Sequence, residues 1–197
     1  MKLLLISLGI VLTDQISKLY VKGFNIPFLN FTQSGLPYGR KTPLIDHVLH
    51  LTFIENPGIA FGIDFGEEFK LLISILTIIA SFSLLIYFFF VRKENIGQRL
   101  SLALIIGGAF GNLIDRVFYG VFYGYAPLLQ GKVVDFFDVS FFRFYFFNKT
   151  MGNYIFNVAD VAVTLGVLIL IFSYHRKQKP SSSEIETENN ILAESGE

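Results

Sequence analysis

The chain has 197 residues, 52% of them hydrophobic and 16% charged, with a formal net charge of zero. That is too apolar for an ordinary soluble domain and too short for many domains, and a balanced charge gives a nucleic-acid role no electrostatic footing. There is no cysteine, which excludes disulfides, thiolate metal sites and cysteine nucleophiles.

Crossing a bilayer takes about 20 mostly apolar residues, and four segments approach that. The first, about 3–21, is interrupted by Asp14 and Lys18. Its start resembles a signal peptide, Lys2 followed by an apolar run, but no small-residue cleavage site follows. Asp14 and Lys18 are spaced i, i+4, on one helix face and in pairing range. The segment therefore reads as a retained helix.

An outer segment, about 22–70, follows. Within it HVLHLTFIENPGIAFG, residues 47–62, has β-branched and aromatic residues before a Pro-Gly break. It reads as a strand and a turn. The second helix, about 71–91 (LLISILTIIASFSLLIYFFFV), contains no ionisable side chain other than its tyrosine. The basic connection RKENIGQR leads into a third helix, about 100–116, which ends in Asn112, Asp115 and Arg116. Gly107 and Gly111 form a G-x-x-x-G that lets another helix come close.

A second outer segment, about 117–155, contains VVDFFDVSFFRFYFF, residues 133–147. It is too aromatic for a free loop and is expected to lie on the membrane surface or to pair with the first outer segment. The fourth helix, about 156–172, opens with Asn157 and Asp160. Residues 176–197 read as a solvated, disordered tail.

Lys and Arg concentrate in the 92–99 connection and after the fourth helix. By the positive-inside rule both termini are cytoplasmic and the two long connections face outward. Asp14, Lys18, Asn112, Asp115, Arg116, Asn157 and Asp160 then fall at one depth, near the outer face. Charge inside a membrane faces the bundle interior and finds a partner.

Each of these residues has a structural reading beside a functional one. Asp14 and Lys18 serve as a salt bridge that makes the first helix insertable. Asp115 and Arg116 serve as a cap or interfacial anchor, and Asn56 serves a turn. Asp135 and Asp160 are harder to assign to structure, because apolar flanks raise a carboxyl pKa and a second carboxyl raises one of the pair further. Two carboxyls sharing a proton can activate water and polarise a carbonyl. No Ser/His/Asp set is evident, and His47 and His50 beside Asp46 make a weak metal-ligand set. An acid pair in a membrane bundle leaves two functions open: a hydrolase, or a small proton- or ion-coupled carrier. Four helices without a repeat are few for a carrier.

TDQISK (13–18), NPGIAFG (56–62), GGAFGNLIDR (107–116), VVDF (133–136) and FNVAD (156–160), in this order, resemble the lipoprotein (type II) signal peptidases. The resemblance covers about residues 1–175. It implies a multi-pass protein of the bacterial inner membrane, an aspartic endopeptidase with four transmembrane helices and a small extracytoplasmic β-cradle. Its implied substrates are prolipoproteins, cut just before a cysteine that carries a diacylglyceryl group. It implies membrane lipids as surroundings, no metal or organic cofactor, no nucleic acid and a monomer.

The resemblance matches the catalytic pair to Asp135 and Asp160; Asp138, a second acid nearby, lies outside VVDF. Asp14, Lys18, Asn56, Asn112, Arg116 and Asn157 match supporting or substrate-binding positions. Asp115 and Gly108 are read as structural. The stretches about 24–46 and 117–132 are longer than in compact members.

Overall fold

In the computed structural model of the chain, residues 2–58, 67–91, 93, 95–139, 144–146, 149–151 and 154–178 are described. Helix α1 (Leu4–Lys22) runs directly into a hairpin, β1 (Gly23–Ile26) and β2 (Phe31–Ser34), and then into β3 (Lys41–Ile45) and β4 (Leu49–Asn56). Gly23 makes the change of direction at φ +81°, and a Cβ there would lie 2.4 Å from the Gly35 nitrogen. Only glycine fits so close a return of the chain. Helices α2 (Glu67–Phe90) and α3 (Ile96–Ile114) follow. The chain then stays helical through a π-turn, Asp115–Tyr119, and a last turn α4 (Gly120–Phe122). Strands β5 (Val133–Val139), β6 (Phe144–Phe146), β7 (Lys149–Met151) and β8 (Tyr154–Phe156) lead into helix α5 (Val158–Gln178).

The third helix is longer than the expected 100–116 at both ends. It starts earlier because Asn95 caps it, its side chain accepting from the Gln98 N–H at 2.9 Å. It runs on because Arg116 and the residues after it keep helical geometry to Phe122. Three helical stretches, Leu4–Lys22, Phe69–Phe90 and Ile96–Phe122, are long and apolar enough to cross a membrane among the described residues. The apolar part of α5, Val158–Tyr174, is shorter. Helix α5 reaches Gln178, past the expected boundary at 175; the remainder of the expected tail, 179–197, lies outside the described residues.

Helix α3 is central and packs against α1, α2 and α5. Its glycines make this possible. A Cβ on Gly107 would sit 2.9 Å from Ile10 Cβ, and one on Gly108 would sit 2.3 Å from the Ala159 carbonyl oxygen. The G-x-x-x-G face therefore receives α1, and Gly108 beside it receives the start of α5.

Strands β3, β4, β5 and β8 form one antiparallel sheet in that order. The segment from Val133 thus pairs with the first outer segment, one of its two expected placements; residues 140–143 and 147 lie outside the described residues. Val21, Phe53, Tyr119, Val134 and Phe136 form a core that fastens the sheet to the ends of α1 and α3. A second core, Phe88, Leu102, Ala103 and Ile106, joins α2 to α3.

Candidate active site

Side chains alternate along a strand, so in β5 Asp135 and Asp138 point to opposite faces. Asp138 is fully buried, accepts from Thr52 Oγ1 at 3.0 Å and pairs with Lys41 Nζ at 2.6 Å. Asp135 lies opposite Ile54 of β4, diagonal to Asn56. A register shift between Leu51 and Ile54 gives β4 one extra residue there. The bulge switches the parity of β4 and turns Asn56 to the face that Asp135 occupies.

Strand β8 pairs with β5, Phe137 opposite Phe156, and ends one residue before Asn157. This pairing delivers the start of α5 to Asp135. Asn157 caps α5: its Oδ1 accepts from the Asp160 N–H at 3.0 Å, and Asp160 Oδ2 accepts from the Asn157 N–H at 3.1 Å. The exchange is a capping box with Asp160 in the reciprocal position. Since Asn157 Oδ1 is taken by an N–H, its Nδ2 must face the sheet, and it donates to Asp135 Oδ1 at 2.6 Å. One asparagine therefore touches both acids.

The same polarity argument fixes the other amides. Asn56 Oδ1 accepts from the Gly58 N–H at 2.9 Å, so its Nδ2 donates to Asp135 Oδ2 at 3.2 Å. Asn56 thus serves the turn and the acid together. Lys18 Nζ donates to Asn112 Oδ1 at 2.9 Å, and a lysine ammonium cannot accept. Asn112 Nδ2 must then face away, and it donates to Asp160 Oδ1 at 2.8 Å.

Beneath these groups lies a buried ionic cluster. Lys18, fully buried, bridges Asp14 at 2.8 Å and Asp115 at 2.9 Å, both also fully buried. The two carboxylates also tie elements together, because Asp14 accepts from the Ala159 N–H and Asp115 from the Val134 N–H. The structure thus brings the polar ends of α1, α3 and α5 into contact. Arg116 donates to the Asn112 carbonyl oxygen at 3.4 Å and interacts electrostatically with Asp115, Asp135 and Asp160.

Sequence reasoning missed Gln15, which stands inside the TDQISK motif. Its Nε2 donates to Asp115 Oδ1 at 2.9 Å and to the Gly111 carbonyl at 3.0 Å, while its Oε1 accepts from Tyr119 Oη at 3.1 Å. Its position in a membrane helix, next to Asp14, was the available signal. It also missed Lys22, which pairs with Glu55 and lies over the ring of Tyr123, 4.1 Å from the centroid. This contact pins the 117–132 stretch to the end of α1.

The two acids occupy different environments. Asp135 is 2% exposed, whereas Asp160, Asn112 and Arg116 are partly open. Burial, and then the charge of Asp160, pushes the Asp135 carboxyl up to about 7, against the opposing hydrogen bonds from Asn56 and Asn157. Asp135 is thus a buried carboxyl that holds its proton more tightly than usual, beside the more open Asp160.

A family model described as signal peptidase (SPase) II matches residues 6–176. The chain is similar to the lipoprotein signal peptidase of Syntrophus aciditrophicus, 33% identical over 91% of this chain and 96% of that protein. It is similar to that of Halalkalibacterium halodurans, 35% identical over 91% and 96%, and to that of Clostridioides difficile, 36% identical over 85% and 90%. Two solved structures of bacterial membrane enzymes, obtained by the in meso method, superpose on it. One, at 1.9 Å resolution, has a TM-score of 0.63 and 30% identity, covering 91% of this chain and 94% of its own. The other, at 2.3 Å, has a TM-score of 0.62 and 28% identity, covering 90% of each.

Proposed function

The chain belongs to the signal peptidase II family of bacterial membrane peptidases, and from that membership we propose that it is an aspartic endopeptidase using Asp135 and Asp160. Its substrates are prolipoproteins, cut before the diacylglyceryl-modified cysteine. The observation that carries this reading is Asn157, whose side chain holds Asp135 while its backbone N–H holds Asp160. An asparagine that orients two acids from two different elements favours a dyad over two separate structural carboxylates.

In this reading α5 is the fourth crossing and residues 1–175 form one unit. Both termini are cytoplasmic and the dyad lies near the outer face. The protein acts as a monomer. Asp160, the wetter acid, is the base and Asp135 is the acid. Asp160 takes a proton from water as the water oxygen adds to the scissile carbonyl carbon, and Asp135 gives its proton to the carbonyl oxygen. In the second step Asp160 passes its proton to the departing cysteine nitrogen. Asp135 recovers one from the diol as the C–N bond breaks. Both carboxyls return to their starting states, so two acids and one water complete the reaction without a cofactor. Asn56, Asn112 and Asn157 orient the dyad, and Arg116 is available to substrate carbonyls. Asp14, Lys18, Asp115 and Gly108 support the floor. Acyl chains on the substrate cysteine remain in the bilayer and reach the site between helices.

Asp135→Asn and Asp160→Asn should each abolish conversion of a diacylglyceryl prolipoprotein, read as a gel shift with purified enzyme, while the protein stays in the membrane. Full activity in either variant would sink the dyad. Proton flux in liposomes without a peptide product would point to a carrier.

A further inference from the structure

The hairpin β1–β2 stands apart from the site. Among the described residues, its strands pair with each other and with neither of the other sheets. Its turn carries Phe28 at 85% exposure and Leu29 at 61%, and Phe31 at 50% follows. Residues 23–37 contain no ionisable side chain. A turn in water is ordinarily built from small polar residues, and an apolar exposed patch marks an interaction surface.

What that surface meets follows from where the hairpin is rooted. Helix α1 is one of the membrane-crossing stretches, and its exposed Leu5, Leu8, Leu12, Ile16 and Tyr20 fall on one seam at helical spacing. Tyr20 closes that seam in the way aromatic residues mark a lipid–water boundary, and α1 ends two residues later at Lys22. β1 begins at the next residue, so the apolar hairpin continues the lipid-facing seam. Four-residue strands reach only about 13 Å, which keeps the tip beside the bilayer face.

The backbone is suited to that setting. The strands pair from Gly23–Ser34 to Ile26–Phe31. Pro27 has no N–H, and the Asn30 N–H donates to the Pro27 carbonyl at 3.1 Å. The Phe24 and Phe31 rings, 5.8 Å apart, extend the apolar face along the strands.

We propose that this hairpin is a lipid-contacting finger, with Phe28, Leu29 and Phe31 inserted into the bilayer interface beside α1. The partner is the lipid surface itself. The finger holds the strand region at a fixed depth over the helix ends.

The chain contains no tryptophan, so Phe28→Trp in the full-length protein gives a single emitter. The variant is reconstituted in vesicles of phosphatidylcholine and phosphatidylglycerol, with Tyr20→Trp on α1 as the boundary standard. Retained peptidase activity verifies the fold of the Phe28→Trp variant. Lipids brominated along the acyl chain should quench its indole emission by roughly half or more, as for the boundary standard. Iodide in the buffer should quench it little. Quenching by iodide without quenching by bromine would place the tip in water and overturn the proposal. Quenching by neither would mean that protein, from this chain or a second copy, covers the tip, and would overturn it equally.

Discussion

Asp135 shows most plainly how burial sets the proton affinity of one residue. Its carboxyl is raised from an ordinary 3.8 to about 7, first by burial and then by Asp160. The folded state therefore binds this proton more tightly than the unfolded state does. The advantage is fully present below about pH 4 and is lost as the pH climbs through about 7. Above that pH the protein must hold an ionised carboxylate in a dry site. Asp135→Asn is the neutral shape without that cost, although an amide has one acceptor where the carboxylate offers two to Asn56 and Asn157. Set against one lost hydrogen bond, the gain should be on the order of 2–3 kcal/mol at pH 8 and near zero or negative at pH 4. Thermal aggregation followed by size exclusion in detergent reads the difference without needing tryptophan or cysteine. A variant no more stable than wild type at pH 8 would contradict the assignment of the raised carboxyl.

At the scale of elements, the site exists because a strand end and a helix start are the same few residues. Asn157 both ends β8's run and caps α5, and these duties can be separated. Asn157→Ser keeps an oxygen to accept from the Asp160 N–H but is too short to reach Asp135. Ser and Asn are comparable caps, and losing the cap altogether costs about 1 kcal/mol. Both short variants lose the buried Nδ2 hydrogen bonds, so the serine variant should be more stable than Asn157→Ala by about 1 kcal/mol, the cap it keeps. Its kcat should fall about 100-fold, the scale of a misplaced reacting group. Asn157→Ala should lose both stability and kcat; an active serine variant would reduce Asn157 to a cap. Much of this was legible in the sequence. The helices, the strand at Leu49–Asn56 and the convergence of Asp14, Lys18, Asn112, Asp115, Asn157 and Asp160 follow from apolar runs, β-branched composition and the cost of charge in lipid. The bulge in β4 was not legible, because one extra residue leaves no mark on composition. Nor were the pairing of β5 with β8 and the parity that sends Asp138 to Lys41 while Asp135 faces the site, because register depends on partners far along the chain. The earlier start of α3 at Asn95 could have been read from its cap.

Across the whole molecule, the buried cluster under Asp135 and Asp160 adds polar ties between elements that the apolar core around Val21 and Val134 already packs together. Lys18 carries one positive charge between two carboxylates, Asp14 and Asp115. Each carboxylate holds a backbone N–H of another element, Ala159 at the start of α5 and Val134 in β5. The same ammonium fixes Asn112, which donates to Asp160. Lys18 is thus the point through which α1 sets the geometry of acids on β5 and α5. Lys18→Met keeps the stem volume but strands two facing carboxylates in a dry interior, a change that costs about 3–5 kcal/mol. It also takes from Asn112 Oδ1 one of its two donors, leaving the Asn157 Nδ2 at 3.0 Å, so activity should fall even in the fraction that remains folded. Adding Asp115→Asn removes one of the stranded charges, and the new side chain's oxygen can still accept from the Val134 N–H. The double variant should therefore be more stable than Lys18→Met alone, by an interaction energy of about 1–3 kcal/mol. It should not recover activity, because the Lys18 hydrogen bond to Asn112 Oδ1 is still missing and only the one from Asn157 Nδ2 remains. Melting of the two variants side by side, with the prolipoprotein gel shift on the same samples, separates the two effects. A double variant less stable than Lys18→Met would mean that Asp115 acts through shape rather than charge. A double variant that regains activity would mean that Lys18 does not orient the dyad.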